Sequence, residues 1–161
     1  MPAPHRFGHD LVRETARIEL PTVARLELHR RMADYLIGRA DVHARLSEVA
    51  FHCLEALPAG EATLAVTWGE RAADQAMVQL AWEQAAEMYG RVMIAADGAD
   101  LAAADRGRLL LGRARAQVRA YEVRAAQESV LAVAETARRA VIAGPVTAAC
   151  GSAGQARHSA S

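Results

Sequence analysis

The chain has 161 residues, 52% of them hydrophobic, and its 19 basic and 19 acidic residues give a formal net charge of zero. This length is enough for one domain with its own core, and the balanced charge excludes a general attraction to nucleic acid or to an anionic membrane. Lysine does not occur, which excludes both a G-x-x-x-x-G-K-[ST] phosphate loop and a Schiff-base lysine.

The cysteines and the N-terminus indicate where the protein resides. Cys53 and Cys150 are too few for a disulfide framework and do not form a C-x-x-C metal pair. The N-terminus lacks the apolar stretch of a signal peptide, and no run approaches the roughly 18 apolar residues needed to cross a bilayer. We therefore expect a soluble protein in the reducing cytoplasm, with no membrane partner.

Apolar residues recur at three- and four-residue spacing almost throughout, and no segment shows the period-two alternation of a half-buried strand. The pattern predicts an all-α fold of about seven helices. The first helix covers residues 9–19 and ends before Pro21, and the second begins near Thr22 and ends at Gly38. The apolar sides of these two helices carry Leu11, Thr15 and Ile18, then Val23, Leu26, Ala33 and Ile37.

The third predicted helix has the strongest pattern and should be well buried. Its stripe consists of Leu46, Val49, Ala50, Cys53, Leu54 and Leu57. Two helices over about 61–79 and 81–96 then form an antiparallel hairpin, and two more form a second hairpin after the loop at 97–100. The predicted inward residues are Leu64, Trp68, Ala72, Ala76, Ala85, Met88, Tyr89 and Val92 in the first hairpin, and Leu110, Ala114, Val118, Tyr121, Val123, Ala126, Val130, Val133, Ala137 and Val141 in the second.

The two hairpins resemble repeats of a helical solenoid. Ala85 and Ala125 are 40 residues apart, and each follows an aromatic residue, Trp82 or Tyr121. Recurring helix pairs at this period are typical of stacked helical repeats. We therefore predict a helical lobe over residues 1–58, tetratricopeptide-like antiparallel hairpins forming a short α-solenoid over 61–143, and a small, polar, disordered tail over 144–161.

Neither a metal site nor a catalytic site is predicted. His5 and His9, or His43 and His52, lack the further ligands of a closed zinc site. The charged residues around His9 have no nucleophile near them, and no serine lies in a G-x-S-x-G context. We expect no cofactor and no enzymatic activity.

Candidate interaction residues fall into two groups. Arg30 and Arg31 belong to an arginine-rich first third that could meet phosphate, but acidic residues alternate with these arginines and favour a salt-bridged surface. Trp82 and Tyr89 could line a peptide-binding groove, although core packing is the default interpretation of such a stripe. The open alternatives are thus a peptide-binding adaptor and a DNA-associated helical protein.

Several phrases resemble the end of the ATPase region in large signal-transducing (STAND) ATPases of the LuxR and SARP regulator type. They are Phe7-Gly-His-Asp-Leu-Val-Arg-Glu14, Leu20-Pro21, Leu28-His-Arg-Arg-Met-Ala33, and Val49-Ala-Phe-His52 with Glu55-Ala56. The segments beginning at Trp68 and Leu80 are similar to the first tetratricopeptide-like repeat of the same proteins. The resemblance covers about residues 6–139.

The resemblance implies a sensor and coupling segment that transmits effector or partner binding to an ATPase switch in a transcriptional regulator and holds no ATP itself. Its partner would be a protein, a peptide or the ATPase module, with DNA bound only indirectly. Because family members carry an ATP-binding core before this region, the chain looks like a middle segment. A solenoid without its next repeat ends in apolar area, so we also expect self-association.

Overall fold

The computed structural model describes residues 21–57 and 59–152, with side chains described as far as residue 142. The chain is all-α, and the described residues contain no strand. The α-helices are α1 (Thr22–Ile37), α2 (Leu46–Glu55), α3 (Ala62–Val78), α4 (Trp82–Asp97), α5 (Ala103–Arg119) and α6 (Val123–Ser152), and a 3-10 helix (Val42–Arg45) precedes α2. The prediction of an all-α fold is confirmed, while the helix predicted for residues 9–19 lies outside the described residues.

The helices form a linear array in which each helix packs chiefly against the next one along the chain. The most extensive contacts join α3 to α4 and α5 to α6, and the short connections of these pairs make them antiparallel hairpins. Contacts that skip a helix are few. The core is therefore a row of interfaces between neighbouring helices, and among the described elements α1 and α6 each pack on one side only.

The two hairpins turn in the same way. Leu80 and Tyr121 occupy the left-handed region, with φ of 63° and 62°. In each turn the amide of this residue donates to the carbonyl oxygen three positions earlier, at an N–O distance of 3.2 Å. The amide of the following residue, Ala81 or Glu122, donates to the carbonyl oxygen five positions earlier, at 2.9 Å and 2.8 Å respectively. This pattern ends α3 and α5 with the same Schellman motif, built on a residue other than glycine.

The matching turns set the repeat at 41 residues, the separation of Leu80 and Tyr121. The sequence pattern pairs Ala85 with Ala125, but in the structure Ala126 corresponds to Ala85. Both are buried, with Ala85 0% and Ala126 4% exposed. The 40-residue register was thus wrong by one position, because the turn and not the aromatic residue sets the alignment. A tetratricopeptide repeat has about 34 residues, so these hairpins are longer than that type.

The stripe of α2 lies where the sequence predicts it. Val49, Ala50, Cys53 and Leu54 are buried, and Leu46 and Leu57 pack against them. Burial raises the pKa of the Cys53 thiol to about 11, so the thiol stays protonated and unreactive at neutral pH. This helix joins the helical lobe to the hairpins because it contacts both α1 and α3.

Several predicted core positions at the ends of the array are exposed. Val23 is 77% exposed, and Leu36 is the residue of α1 that is buried instead. In the last hairpin Val118, Tyr121, Val123, Val130 and Val141 are exposed, whereas α5 buries the predicted Leu110 and Ala114 together with Leu109 and Ala116. The periodicity identifies an apolar side of a helix, but a residue on that side is buried only where a neighbouring helix covers it.

The last helix continues to Ser152, although the sequence places the start of the disordered tail at Gly144. The helix therefore passes through Gly144 and Pro145, the two residues at which the sequence pattern predicts its end. The remainder of the predicted tail, residues 153–161, lies outside the described residues.

Two glycines allow α4 to approach its neighbours closely. A Cβ atom built on Gly69 of α3 would lie 2.4 Å from Cγ2 of Val92, and one built on Gly112 of α5 would lie 2.6 Å from Cζ of Tyr89. The aromatic ring cannot move aside easily, because Tyr89 is 4% exposed and its hydroxyl is bonded to Asp74. A methyl group at either glycine would force neighbouring helices apart.

We therefore predict opposite effects of alanine at two glycines of the same helix. Gly112→Ala should lower the free energy of unfolding by about 1–3 kcal/mol, the usual cost of overpacking. Gly107→Ala, where the new methyl meets nothing within 4 Å, should raise it by roughly 0.5–1 kcal/mol through helix propensity. Urea unfolding followed by circular dichroism measures both, and equal stabilisation by the two variants would contradict the close approach.

Candidate functional site

Arg30 and Arg31 lie on the exposed surface of α1 within a local ion-pair network. Arg30 donates to Glu27 at 2.9 Å and to Asp34 at 3.0 Å, and Arg31 donates to Glu27 at 2.9 Å. Hydrogen bonds from the two arginines lower the pKa of Glu27 to about 2. These pairs at three- and four-residue spacing form a salt-bridged helix face, which leaves little uncompensated positive charge for a phosphate backbone.

Trp82 and Tyr89 lie on α4 and do not form a groove together. Tyr89 is buried, and its hydroxyl donates to Asp74. Burial, reinforced by this hydrogen bond, raises the pKa of the hydroxyl well above its usual range. Trp82 is partly buried beneath Arg119, whose Cζ lies 5.1 Å from the ring centroid. Tyr89 is therefore a core residue, as its place in the predicted inward stripe with Ala85 and Val92 indicates, and not part of an accessible surface.

A polar cluster lies beside Tyr89, where α3 meets α5. Arg108 of α5 bonds to Glu70 of α3 and reaches Asp105 at 3.3 Å. Only 16% of the Glu70 side chain is exposed, and burial raises the pKa of its carboxyl group. The ion pair ties α3 to α5 across an open cleft of about 430 Å³. Sequence reasoning missed this cluster because its partners come from separate helices and have no common spacing.

Two histidines from separate phrases of the sequence meet between α1 and α2. Nδ1 of His29 lies 3.1 Å from Nδ1 of His52, and the Phe51 ring stands edge-on to His29 at a centroid distance of 5.6 Å. Burial, followed by the charge of His29, lowers the pKa of His52. Two imidazoles can share such a hydrogen bond only if at least one of them is neutral.

The histidine pair is not part of a metal cluster in the part of the chain that the structure describes. No group of three or more His, Cys, Asp or Glu residues is arranged there to hold an ion. None of the helices within the described ranges is long and apolar enough to cross a membrane.

The outer face of α6 carries an uncovered apolar stripe. Val123, Val130 and Val141 are 60%, 52% and 74% exposed. Together with three further exposed residues they follow alternating four- and three-residue spacing along the helix. We call this set the α6 stripe: Val123, Gln127, Val130, Ala134, Ala137 and Val141. This spacing is that of a seam between two packed helices.

An apolar groove lies along one edge of the α6 stripe. It has a volume of about 480 Å³ and is lined almost entirely by carbon atoms of Val118, Val123, Ala126, Gln127, Val130 and Leu131. A second, mainly apolar cleft of about 520 Å³ lies between α5 and α6 around Leu111 and Val133. The last hairpin therefore presents apolar concavities on a solvent-exposed surface, which is typical of a protein-binding site.

The histidine pair should make stability depend on pH. The pKa of His52 is lowered in the folded state, so the unfolded chain binds the proton more readily. The pair therefore contributes its full share of the free energy of unfolding above about pH 6.5, and this contribution falls as the pH drops. We expect the urea midpoint to fall between pH 7 and pH 5 by more in the wild type than in His52→Asn, whose amide keeps a polar atom near the Nδ1 position. Equal pH profiles for the two proteins would contradict the assignment.

The α6 stripe should also make the chain associate. We expect the mass-average molecular mass measured by light scattering to rise with protein concentration, and Val130→Glu to abolish the rise by placing a charge within the apolar contact. Ile94→Glu is the matched control, because Ile94 is 74% exposed on α4 and lies outside the stripe. A strictly monomeric wild type at high concentration would contradict this expectation.

Comparisons with protein-family models, with curated proteins and with solved structures found no match. Function is therefore inferred from the residues themselves and from the contacts that the fold gives them.

Proposed function

We propose that the chain is a non-catalytic helical-repeat module that binds another protein through the α6 stripe. The observation that carries this proposal is the exposure of three valines at seam spacing on the outermost helix, beside an apolar groove. At the equivalent positions of α4, 41 residues earlier in the chain, Ala86, Tyr89 and Ala96 are buried. The α6 stripe is thus a packing surface without its packing partner in the described part of the chain.

The composition of the stripe favours a helical partner. The small side chains of Ala134 and Ala137 permit close approach of a second helix, and Gln127 is the single polar residue, able to set register in such a seam. Arg138 lies beside the stripe, four residues after Ala134, and donates to Glu135, as expected of a polar rim. The chemistry therefore suits an amphipathic helix or a further helix hairpin.

The finer proposal is that the module couples effector or partner binding to the ATPase switch of a LuxR- or SARP-type transcriptional regulator, with tetratricopeptide-like repeats as its scaffold. The resemblance in the phrases around His29 and His52 supports it, and the contact between these two histidines gives the phrases a shared structural role. By the same resemblance the module holds no ATP, and the ATPase module and further repeats are its partners.

A stand-alone adaptor that binds a peptide is the second candidate. The groove between α4 and α5 favours it, because this groove has a volume of about 710 Å³ and carries charges of both signs, including Glu87, Arg106 and Arg113. The DNA-associated alternative is less well supported, since Arg30 and Arg31 are held in ion pairs with carboxylates of their own helix.

The proposal is tested first on the coding sequence that flanks this chain, read in all frames for a lysine-containing phosphate loop upstream and further helix hairpins downstream. If both are present, the chain and the first downstream hairpin are produced separately and their binding is measured by calorimetry. We expect the wild type and Ile94→Glu to bind and Val130→Glu to lose binding by about tenfold or more, as for a charge placed in an apolar interface.

Absence of both flanking elements would remove the regulator proposal and favour the adaptor. Equal binding by wild type and Val130→Glu would show that the α6 stripe is not the contact surface.

A further inference from the structure

The groove between α4 and α5 contains one arginine that no described carboxylate holds. Three arginines line this groove. Arg91 donates to Glu55 at 2.9 Å, and Arg106 donates to Asp97 at 2.8 Å. Arg113 makes no ion pair with a described residue, and its Nε is buried without a hydrogen-bond partner among them. The guanidinium group of Arg113 therefore has N–H donors to offer to a ligand in the groove.

Gly90 of α4 determines where this guanidinium group lies. A Cβ atom built on Gly90 would be in ordinary van der Waals contact with Arg113, 3.8 Å from both Cζ and Nη2. The group thus lies beside α4 at a position where α4 places no side chain over it. A guanidinium group binds a carboxylate through two parallel hydrogen bonds, so Arg113 suits an acidic ligand group.

The surroundings of Gly90 differ on its two sides. Glu83 and Glu87 lie on the same face of α4, seven and three residues before Gly90, and Glu122 joins them from the turn after α5. None of these three carboxylates forms an ion pair with a described residue. On the other side of Gly90, Ile94 lines the groove and is 74% exposed. Along the groove the order is therefore negative, positive and apolar.

We propose that this groove binds an extended peptide segment that carries a basic, an acidic and an apolar residue in that order along the groove. The basic side chain lies against Glu83 and Glu87, the acidic side chain pairs with Arg113, and the apolar side chain covers Ile94. A ligand of uniform negative charge, such as nucleic acid, would instead meet the carboxylates of the groove, and like charges oppose binding.

The spacing of the groove residues sets the spacing of the ligand residues. Along α4, Glu83 lies about 10 Å from Gly90 and Ile94 lies about 6 Å from it, at 1.5 Å per residue. An extended chain advances about 3.3 Å per residue. The acidic residue of the ligand therefore stands about three residues from the basic one, and the apolar residue about two residues farther on.

This site deepens the peptide-binding alternative and uses a surface separate from the α6 stripe. The residues that line the groove include none of the stripe except Gln117's neighbours in the same hairpin, and Val130 lies outside the groove. Val130→Glu, which should abolish binding through the α6 stripe, should therefore leave peptide binding unchanged. Failure of one site is thus distinguishable from failure of the other.

Fluorescence anisotropy with the synthetic peptide Lys-Ala-Ala-Glu-Ala-Leu tests the proposal. The peptide is labelled at its N-terminus and amidated at its C-terminus, so that neither terminus is charged. We expect saturable binding to the wild type, weaker by about tenfold or more for Arg113→Gln because a hydrogen-bonded charge pair is lost. High salt should weaken it too, since exposed ion pairs are screened. Arg115→Gln, at an exposed arginine of α5 outside the groove, is the matched control and should bind as the wild type does.

A charge exchange separates a direct contact from a change in the fold. Arg113→Glu should lose the first peptide and bind Lys-Ala-Ala-Lys-Ala-Leu more tightly than the wild type does, an outcome that an unfolded variant cannot give. Absence of saturable binding to the wild type, or equal binding by wild type and Arg113→Gln, would overturn the proposal. Loss of peptide binding in Val130→Glu would overturn it as well, because it would place the peptide on the α6 stripe.

Discussion

The close approach of α4 to the helices on either side of it is the contact on which the array depends. Val92 lies over Gly69 of α3, and Tyr89 lies over Gly112 of α5, each where a Cβ atom would clash. The first contact sets the separation of the two helices within the first hairpin, and the second sets how closely the first and second hairpins approach each other. The buried Tyr89 hydroxyl is bonded to Asp74, which orients the ring that rests on Gly112.

The linear packing that follows from this contact explains why the first and last described helices carry exposed apolar residues. Each interior helix has a neighbour on two sides, whereas α1 and α6 have one among the described elements. Exposed valines on α6 and exposed Leu28, Met32 and Tyr35 on α1 are the result. In helical-repeat proteins such surfaces are closed by capping helices or by further repeats.

Charged residues contribute mainly to the connections between and along helices. The ion pair of Arg91 with Glu55, at 2.9 Å, joins α4 to α2, and Arg108 joins α5 to α3 through Glu70. By contrast, the ion pairs of Arg30 and Arg31 remain within α1 and are solvent-exposed, so each contributes little to stability. The arginines thus form two kinds of ion pair, those on the surface of one helix and those that join two helices of the array.

The sequence by itself determined the helical class, the buried stripe of α2 and the approximate limits of the two hairpins, because periodicity and helix-ending residues act over short distances. It also excluded a lysine-dependent phosphate site, since that chemistry requires a residue type that is absent. The tertiary structure decided which apolar residues are buried: Tyr89 belongs to the core, whereas Val118 and Val130 remain exposed. Burial depends on whether a neighbouring helix covers a given side, and the residues that meet there, such as His29 and His52 or Glu70 and Arg108, are far apart along the chain.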